Sequence, residues 1–388
     1  MSTGGFLPEG HVAVRLAVAG GRVRAARVLV HRPLGAAAAL TGKTVSEALA
    51  LVPLLHSVCG TAQGIAALSA CEAALGLAPA PAHVAARTLL TMAETLTSHA
   101  WQVFMDWPQR LGEAPDTRQI AALRAAASGV LPALYPARDS LRPGGAALQP
   151  NREALAVALA RLEAQVTQSV LGAVPFPHDP EGLAAWAAEG LTPAARVLRR
   201  ALARPGFGAS DVAPLPDLPA DWFAARLSAD PGFPARPHRD GEPAFTGALA
   251  RMALQPPITE LLESHGAGLA AHVAARLAEM AALPGRMAEL LDELAPAGAG
   301  VEHTAPGAGT GVVETARGRL AHWVRLAEGR IAEYRIVAPT EWNFHPDGPL
   351  TRGLTGVPAG PTLPDDAGLL IAAIDPCVAF SLDIARED

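Results

Sequence analysis

The chain changes its hydrophobic period twice, and this constrains its fold more than any other feature of the 388 residues. HVAVRLAVAGGRVRAARVLVH, over 11–31, alternates apolar and polar side chains on both sides of Gly20-Gly21, the pattern of two strands joined by a tight turn. From Thr44 the apolar residues recur at helical spacing. VSEALALVPLLHSVCGTAQGIAALSACEAALG carries that spacing on both sides of a break at Cys59-Gly60. Helical patterns continue over 83–106, 117–134, 151–172, 183–203 and 244–296. Alternation returns in LAHWVRLAEGRIAEYRIVAP, two runs around Glu328-Gly329, and the apolar segment 364–385 reads as helical in parts.

The expected fold class is mainly α with small β elements, an α+β arrangement in a single domain over 1–388. Its parts are a β-hairpin over 1–32, a helical bundle over 44–300, a β element over 314–345 and a C-terminal segment over 364–388. The Pro-rich stretch 204–243 reads as a loop crossing the surface or covering a cleft. Short strands from the two ends can pair, which would bring residues near 10, 320 and 377 together.

Half of the residues are apolar and 18% are charged, enough for the core of a soluble globular protein. The net charge is −6 and Lys43 is the only lysine, which argues against a nucleic-acid partner, whose phosphates call for basic patches. Three cysteines, Cys59, Cys71 and Cys377, cannot make a disulfide framework. MSTGGFLPEG has neither the basic nor the apolar region of a secretion signal, so a cytoplasmic location is expected. Asp375 and Pro376 interrupt the apolar run GLLIAAIDPCVAFSL, which is too short to span a bilayer; no membrane insertion is expected.

Cys59, in HSVCGTAQG, precedes a glycine and an expected helix start, where backbone N–H groups would favour its thiolate. Cys377 follows Asp-Pro, again suggesting a turn with the thiol near a helix start. Each read alone is a small buried residue as readily as a ligand. Cys71 lies mid-helix in an Ala-rich run and reads as core. His99 and Asp106, in SHAWQVFMDW, are spaced to share a helix face. No HxxxH, HExxH, GxGxxG, P-loop or GxSxG pattern occurs.

Five stretches, in order, resemble one family. PEGHVAVRLAVAGGRVRAARV is similar to the N-terminal RIEGH strand of nickel–iron hydrogenase large subunits, and HSVCGTAQG to their RICGVC motif. SHAWQVFMDW resembles a helix carrying an active-site Asp. ETARGRLAHWVRLAEGRIAEYRIVAPTEWN resembles the stretch from an Arg-Gly turn to PTTWN, and IDPCVAF the terminal DPCxxC. The resemblance implies the large-subunit-like helical bundle. In that family two CxxC pairs hold nickel and an iron carrying CO and cyanide. Cys59 and Cys377 match the first, terminal-nickel positions, whereas Ala62 and Phe380 stand at the bridging positions. Ala66 and Asp383 stand where the family has a His after each pair. The five residues that follow Asp383 set the expectation that the extension which large subunits lose on nickel insertion is lacking.

Two missing thiolates leave nickel without half of its soft ligands, so no hydrogenase catalysis and no nickel are expected. What remains resembles the degenerate large-subunit homologues known as hydrogenase expression/formation proteins. For these the resemblance implies a maturation scaffold that holds an Fe(CN)2(CO) fragment and passes it to the apo large subunit. It implies Cys59 and Cys377 as metal ligands, and Arg317 as donor to a cyanide, for which a planar, permanent cation is suited. It further implies Thr340 serving the second cyanide, Leu320 beside the CO, and Glu9, Asp375 and Asp106 as surrounding acids. The implied partners are the maturation factors that deliver the fragment and the apo large subunit. Two other readings stay open: a metal-free chaperone that mimics the large subunit, and an enzyme with a different single metal.

Overall fold

The computed structural model describes residues 10–31, 35–145, 147–298, 301–302 and 307–386. β1 (His11–Ala19) and β2 (Arg22–His31) form the N-terminal hairpin. Its turn is Gly20-Gly21, with φ of 60° and 73°, the left-handed pair that a two-residue hairpin turn requires and that glycine adopts freely. Val12, Val14, Leu16 and Val18 face the core while Arg15 faces solvent, as the alternation predicts.

Six helices matter most for the position of the site. α1 (Val45–Leu55) starts at a capping box between Thr44 and Glu47. A 3-10 turn over Ser57–Cys59 leads into α2 (Gly60–Leu75), and α3 spans Pro81–Trp101. α4 (Ala220–Ala229) lies within the Pro-rich stretch, α5 is Leu269–Glu289, and α6 is Leu363–Ile374. Every side chain from Leu269 to Met280 is buried, so α5 is the central helix of the bundle, in contact with α3 and α6. Ser57–Leu75 has the length and hydropathy of a membrane span, but 67% of it is buried inside the protein, so its apolar surface is used for core packing.

A second sheet, in order β3-β4-β5, joins β3 (Ala308–Thr315), β4 (Gly318–Ala327) and β5 (Arg330–Val337). Glu328-Gly329 makes the β4–β5 turn, both residues at positive φ. The late alternation foretold two of these strands. β3, AGTGVVET, has no such signal because its glycines weaken the strand pattern. Those glycines serve packing: a Cβ on Gly311 would overlap the Ala66 carbonyl, and one on Gly309 the Ala70 carbonyl. Side-chain-free strand surface thus lets the backbone of α2 lie directly on β3.

The last strand, β6 (Ala379–Arg386), runs parallel to β1 and completes a sheet of order β2-β1-β6, with Val12 opposite Phe380 and Leu16 opposite Ile384. The two ends of the chain are therefore joined by a ladder. Within 204–243 the expectation of a plain loop fails, because α4 places Phe223 and Leu227 four residues apart on one buried face. They join Phe233 and Trp342 in a core shared with the second sheet.

The contact between α2 and β3 leaves no room for a side chain at position 311. Gly311→Val should lower stability by about 1–3 kcal/mol through overpacking against α2, read as a drop in denaturation midpoint. An unchanged midpoint would show that α2 does not rest on β3.

His272, in α5, is buried edge-on to Phe245, and burial with Arg276 nearby lowers its pKa from 6.5 to about 3. An unfolded His takes up a proton near pH 6.5 and the folded one does not, so between those values the unfolded state binds more protons. The stability tied to this group is full above pH ~6.5 and is lost as pH falls toward 3. His272→Phe should reduce the slope of stability against pH between 4.5 and 6 by about 1.4 kcal/mol per pH unit. Equal slopes in denaturation series at several pH values would contradict it.

Candidate metal centre

The β1–β6 ladder ends where β6 meets α6, at Asp375-Pro376-Cys377. Asp375 (φ 69°) and Cys377 (φ 64°) are both left-handed, a conformation that costs a non-glycine residue about 1–3 kcal/mol and persists only when surroundings enforce it. Four contacts do so. The Asp375 carboxylate accepts from its own turn at Cys377 N (3.2 Å) and from Arg317 Nε (2.9 Å). Thr340 Oγ1 donates to the Pro376 carbonyl at 3.2 Å, and Arg276 Nη2 to the Ala373 carbonyl at 2.8 Å. Cys377 thus follows a helix C-terminus and leads into a strand; the expected helix start after Asp-Pro is absent because β1 takes up the chain instead.

Arg317 reaches this turn from the tight connection between β3 and β4. Thr315 Oγ1 accepts from the N–H groups of Arg317 and Gly318, both at 3.2 Å. Asn343 Nδ2 donates to the Arg317 carbonyl at 3.0 Å while its Oδ1 accepts from Thr246 N at 2.8 Å. Gly318 (φ 128°) and Gly247 (φ 105°) stand back to back, and a Cβ on Gly247 would lie 2.8 Å from the Arg317 carbonyl oxygen. The guanidinium is buried. Burial disfavours its charge, but the Asp375 carboxylate outweighs this and keeps it protonated. Its Nη1 is buried without a hydrogen-bond partner. Arg276 faces the same carboxylate, 3.8 Å away, and burial lowers its pKa.

Cys59 and Cys377 meet in this corner, close enough for Cys377 to act directly on the ionisation of the Cys59 thiol. Cys59 is buried and Cys377 partly exposed. The expectation that a helix N-terminus favours the Cys59 thiolate is overturned. Cys59 does precede α2, but the N–H groups of Thr61 and Ala62 donate to Glu94 of α3, at 2.8 and 2.9 Å. The neighbouring Cys377 and burial instead raise the Cys59 pKa well above the ordinary thiol value. Burial also raises the pKa of Glu94 itself, against the two bonds it accepts. Glu94 is a site residue that the sequence does not advertise; its only signal is a lone acid on an otherwise apolar stretch of α3.

Of the other expected residues, Leu320 is fully buried against Ala338 and against Ala66, one helical turn beyond Ala62. Asp106 closes a π-helical turn, Gln102–Asp106, which breaks the register it would share with His99. His99 bonds Glu279 at 2.7 Å, whereas Asp106 lies within electrostatic reach of Asp375 and Arg276, its pKa raised by burial and by Asp375. Glu9 lies outside the described residues. Cys71 is fully buried in the core, its thiol pushed up to about 12 by burial. Phe380 lies under the Arg110 guanidinium, 4.7 Å from ring centre to Cζ, and Asp383 pairs with Arg15 on the surface. Among the described residues no three or more His, Cys, Asp or Glu side chains gather as a metal site.

A family model described as nickel-dependent hydrogenase matches residues 262–382. The hydrogenase expression/formation protein HupV of Azotobacter chroococcum is 32% identical over 380 residues, covering 97% of this chain and 98% of that one. HoxV of Cupriavidus necator, also a hydrogenase expression/formation protein, is 32% identical and covers 92% of both chains. The Ni-Fe-Se hydrogenase of D. vulgaris Hildenborough shares the fold, with a TM-score of 0.66 at 20% identity over 92% of this chain and 94% of that chain. With its mainly helical large-subunit fold and near full-length similarity to HupV and HoxV, the chain belongs to the hydrogenase expression/formation proteins.

Proposed function

We propose that the protein is a non-catalytic scaffold of nickel–iron hydrogenase maturation that carries an Fe(CN)2(CO) fragment on Cys59 and Cys377. The observation that carries this reading is the meeting of the two thiols beside a buried guanidinium, Arg317, whose Nη1 has no hydrogen-bond partner. A bare metal ion needs more protein ligands than this corner offers. A fragment that arrives with three small ligands already bound needs few more, and two soft thiolates suit it. Arg317 Nη1 is placed to donate to an anionic ligand, and a charge-assisted bond there would satisfy a buried donor. Thr340 already donates to Pro376, so its first service is to the cysteine turn.

Loading on two thiolates would release the proton of each thiol to solvent, and would leave the fragment displaced from the bridging positions, where Ala62 and Phe380 offer no sulfur. Such a carrier binds with fewer thiolates than a four-cysteine site, so transfer to the apo large subunit runs downhill. Nickel has no second thiol pair here and is not part of the cargo. The partners are the maturation factors that supply the fragment and the apo large subunit that receives it, and the setting is the cytoplasm.

Protein purified from cells that synthesise the iron fragment should show infrared bands of metal-bound cyanide and CO. Both Cys59→Ala and Cys377→Ala should abolish them. Unchanged bands in both variants would sink the two-thiolate site, and full support of maturation by the double variant without metal would favour a protein-binding chaperone. Arg317→Met should keep the CO band, shift the cyanide bands and lower the yield of loaded protein by about tenfold or more, as expected for losing a hydrogen bond to a charged ligand. Cyanide bands at their original positions would remove Arg317 from the site.

A further inference from the structure

Three buried polar side chains form a single file that ends on Cys59. Tyr334 and His322 come from neighbouring strands, β5 and β4, and Gln63 from the first turn of α2, four residues after Cys59. The Tyr334 hydroxyl lies 2.7 Å from His322 Nδ1, His322 Nε2 lies 2.8 Å from Gln63 Oε1, and Gln63 Nε2 lies 3.6 Å from Cys59 Sγ. Gln63 is 3% exposed, His322 0% and Tyr334 7%, so water does not compete for these bonds.

Only one arrangement of protons serves a deprotonated sulfur. The amide must turn its NH2 toward Sγ, which leaves Oε1 facing His322 and requires the proton on Nε2. Nδ1 is then an acceptor, and the Tyr334 hydroxyl donates to it. Every bond in the file therefore points toward Cys59, and each donor polarises the next. Burial disfavours charge on both the His322 ring and the Tyr334 hydroxyl, so neither gives up its role in the file near neutral pH.

We propose that Gln63, locked by His322 and Tyr334, is the positioning residue that donates to the Cys59 sulfur and sets its strength as a metal ligand. The inference rests on the reading of Cys59 and Cys377 as a ligand pair. It makes the pair unequal: Cys59 is held by a buried donor, whereas Cys377 sits on a partly exposed turn. A donated hydrogen bond withdraws charge from sulfur, which stabilises a bound thiolate in an apolar pocket and weakens its donation to the metal.

The experiment titrates the full chain with Cd2+ under anaerobic conditions and follows the ultraviolet thiolate-to-Cd2+ charge-transfer band. Gln63→Met keeps the shape and removes the donor. Gln63→Leu removes the donor together with the acceptor for His322. Both should weaken Cd2+ binding by ~10–100-fold, the usual loss for such outer partners of a metal ligand, and move the band to lower energy because the sulfur lone pair is no longer stabilised. Tyr334→Phe, which leaves packing intact and frees the imidazole to change tautomer, should give a smaller shift in the same direction. Thermal melts check that each variant is folded. Parent-like affinity and band position in both folded Gln63 variants would overturn the inference alone. Failure of the parent chain to bind Cd2+ through Cys59 and Cys377 would overturn the ligand-pair reading and this inference with it.

Discussion

The buried ion pair between Arg317 and Asp375 ties together parts of the chain that have no local reason to meet. Arg317 lies on the turn between two strands of one sheet, and Asp375 on the turn that leads into the terminal strand of the other. The same carboxylate oxygen takes the N–H of Cys377, so the pair also sets the cysteine's backbone. Removing one partner of a buried pair leaves an uncompensated charge and costs about 3–5 kcal/mol in general. Here it would also release two left-handed residues from the contacts that enforce them.

Two further constraints act on the other thiol. Glycines in β3 remove the side chains that would hold α2 off the sheet, and this fixes the depth at which Cys59 sits. Glu94 takes the helix N-terminal donors that would otherwise lower the Cys59 pKa. The outcome is a Cys59 thiol whose ionisation is disfavoured by Cys377 and by burial, beside a cation with an unpartnered buried donor. A four-thiolate catalytic centre has different needs. Ala66 and Leu320 pack together with Ala338 as hydrocarbon in this region.

Much of this was legible in the residues. Gly20-Gly21 and Glu328-Gly329 announce their turns because only left-handed backbone closes a two-residue hairpin of the right twist. The helical runs show through because one apolar face must repeat every three to four residues. β3 and α4 were missed for opposite reasons: β3 trades strand-forming side chains for glycines, and α4 sits among prolines that read as loop. At the site, Cys59, Cys377 and Arg317 carry sequence signatures, whereas Glu94, Gln63 and Arg276 act through neighbours far away in sequence and look ordinary in their own segments.

The sequence by itself determined most of the elements, β3 and α4 apart, and that Cys59 and Cys377 stand without Cys at 62 and 380. Those properties depend on local backbone preference and on residue identity. Only the tertiary structure decided that Cys377 and burial raise the Cys59 pKa, that helix donors serve Glu94, and that a file of buried donors ends on Cys59. A thiol's ionisation depends on the charges and burial around it, and those come from four separate segments that meet only when the ends of the chain pair.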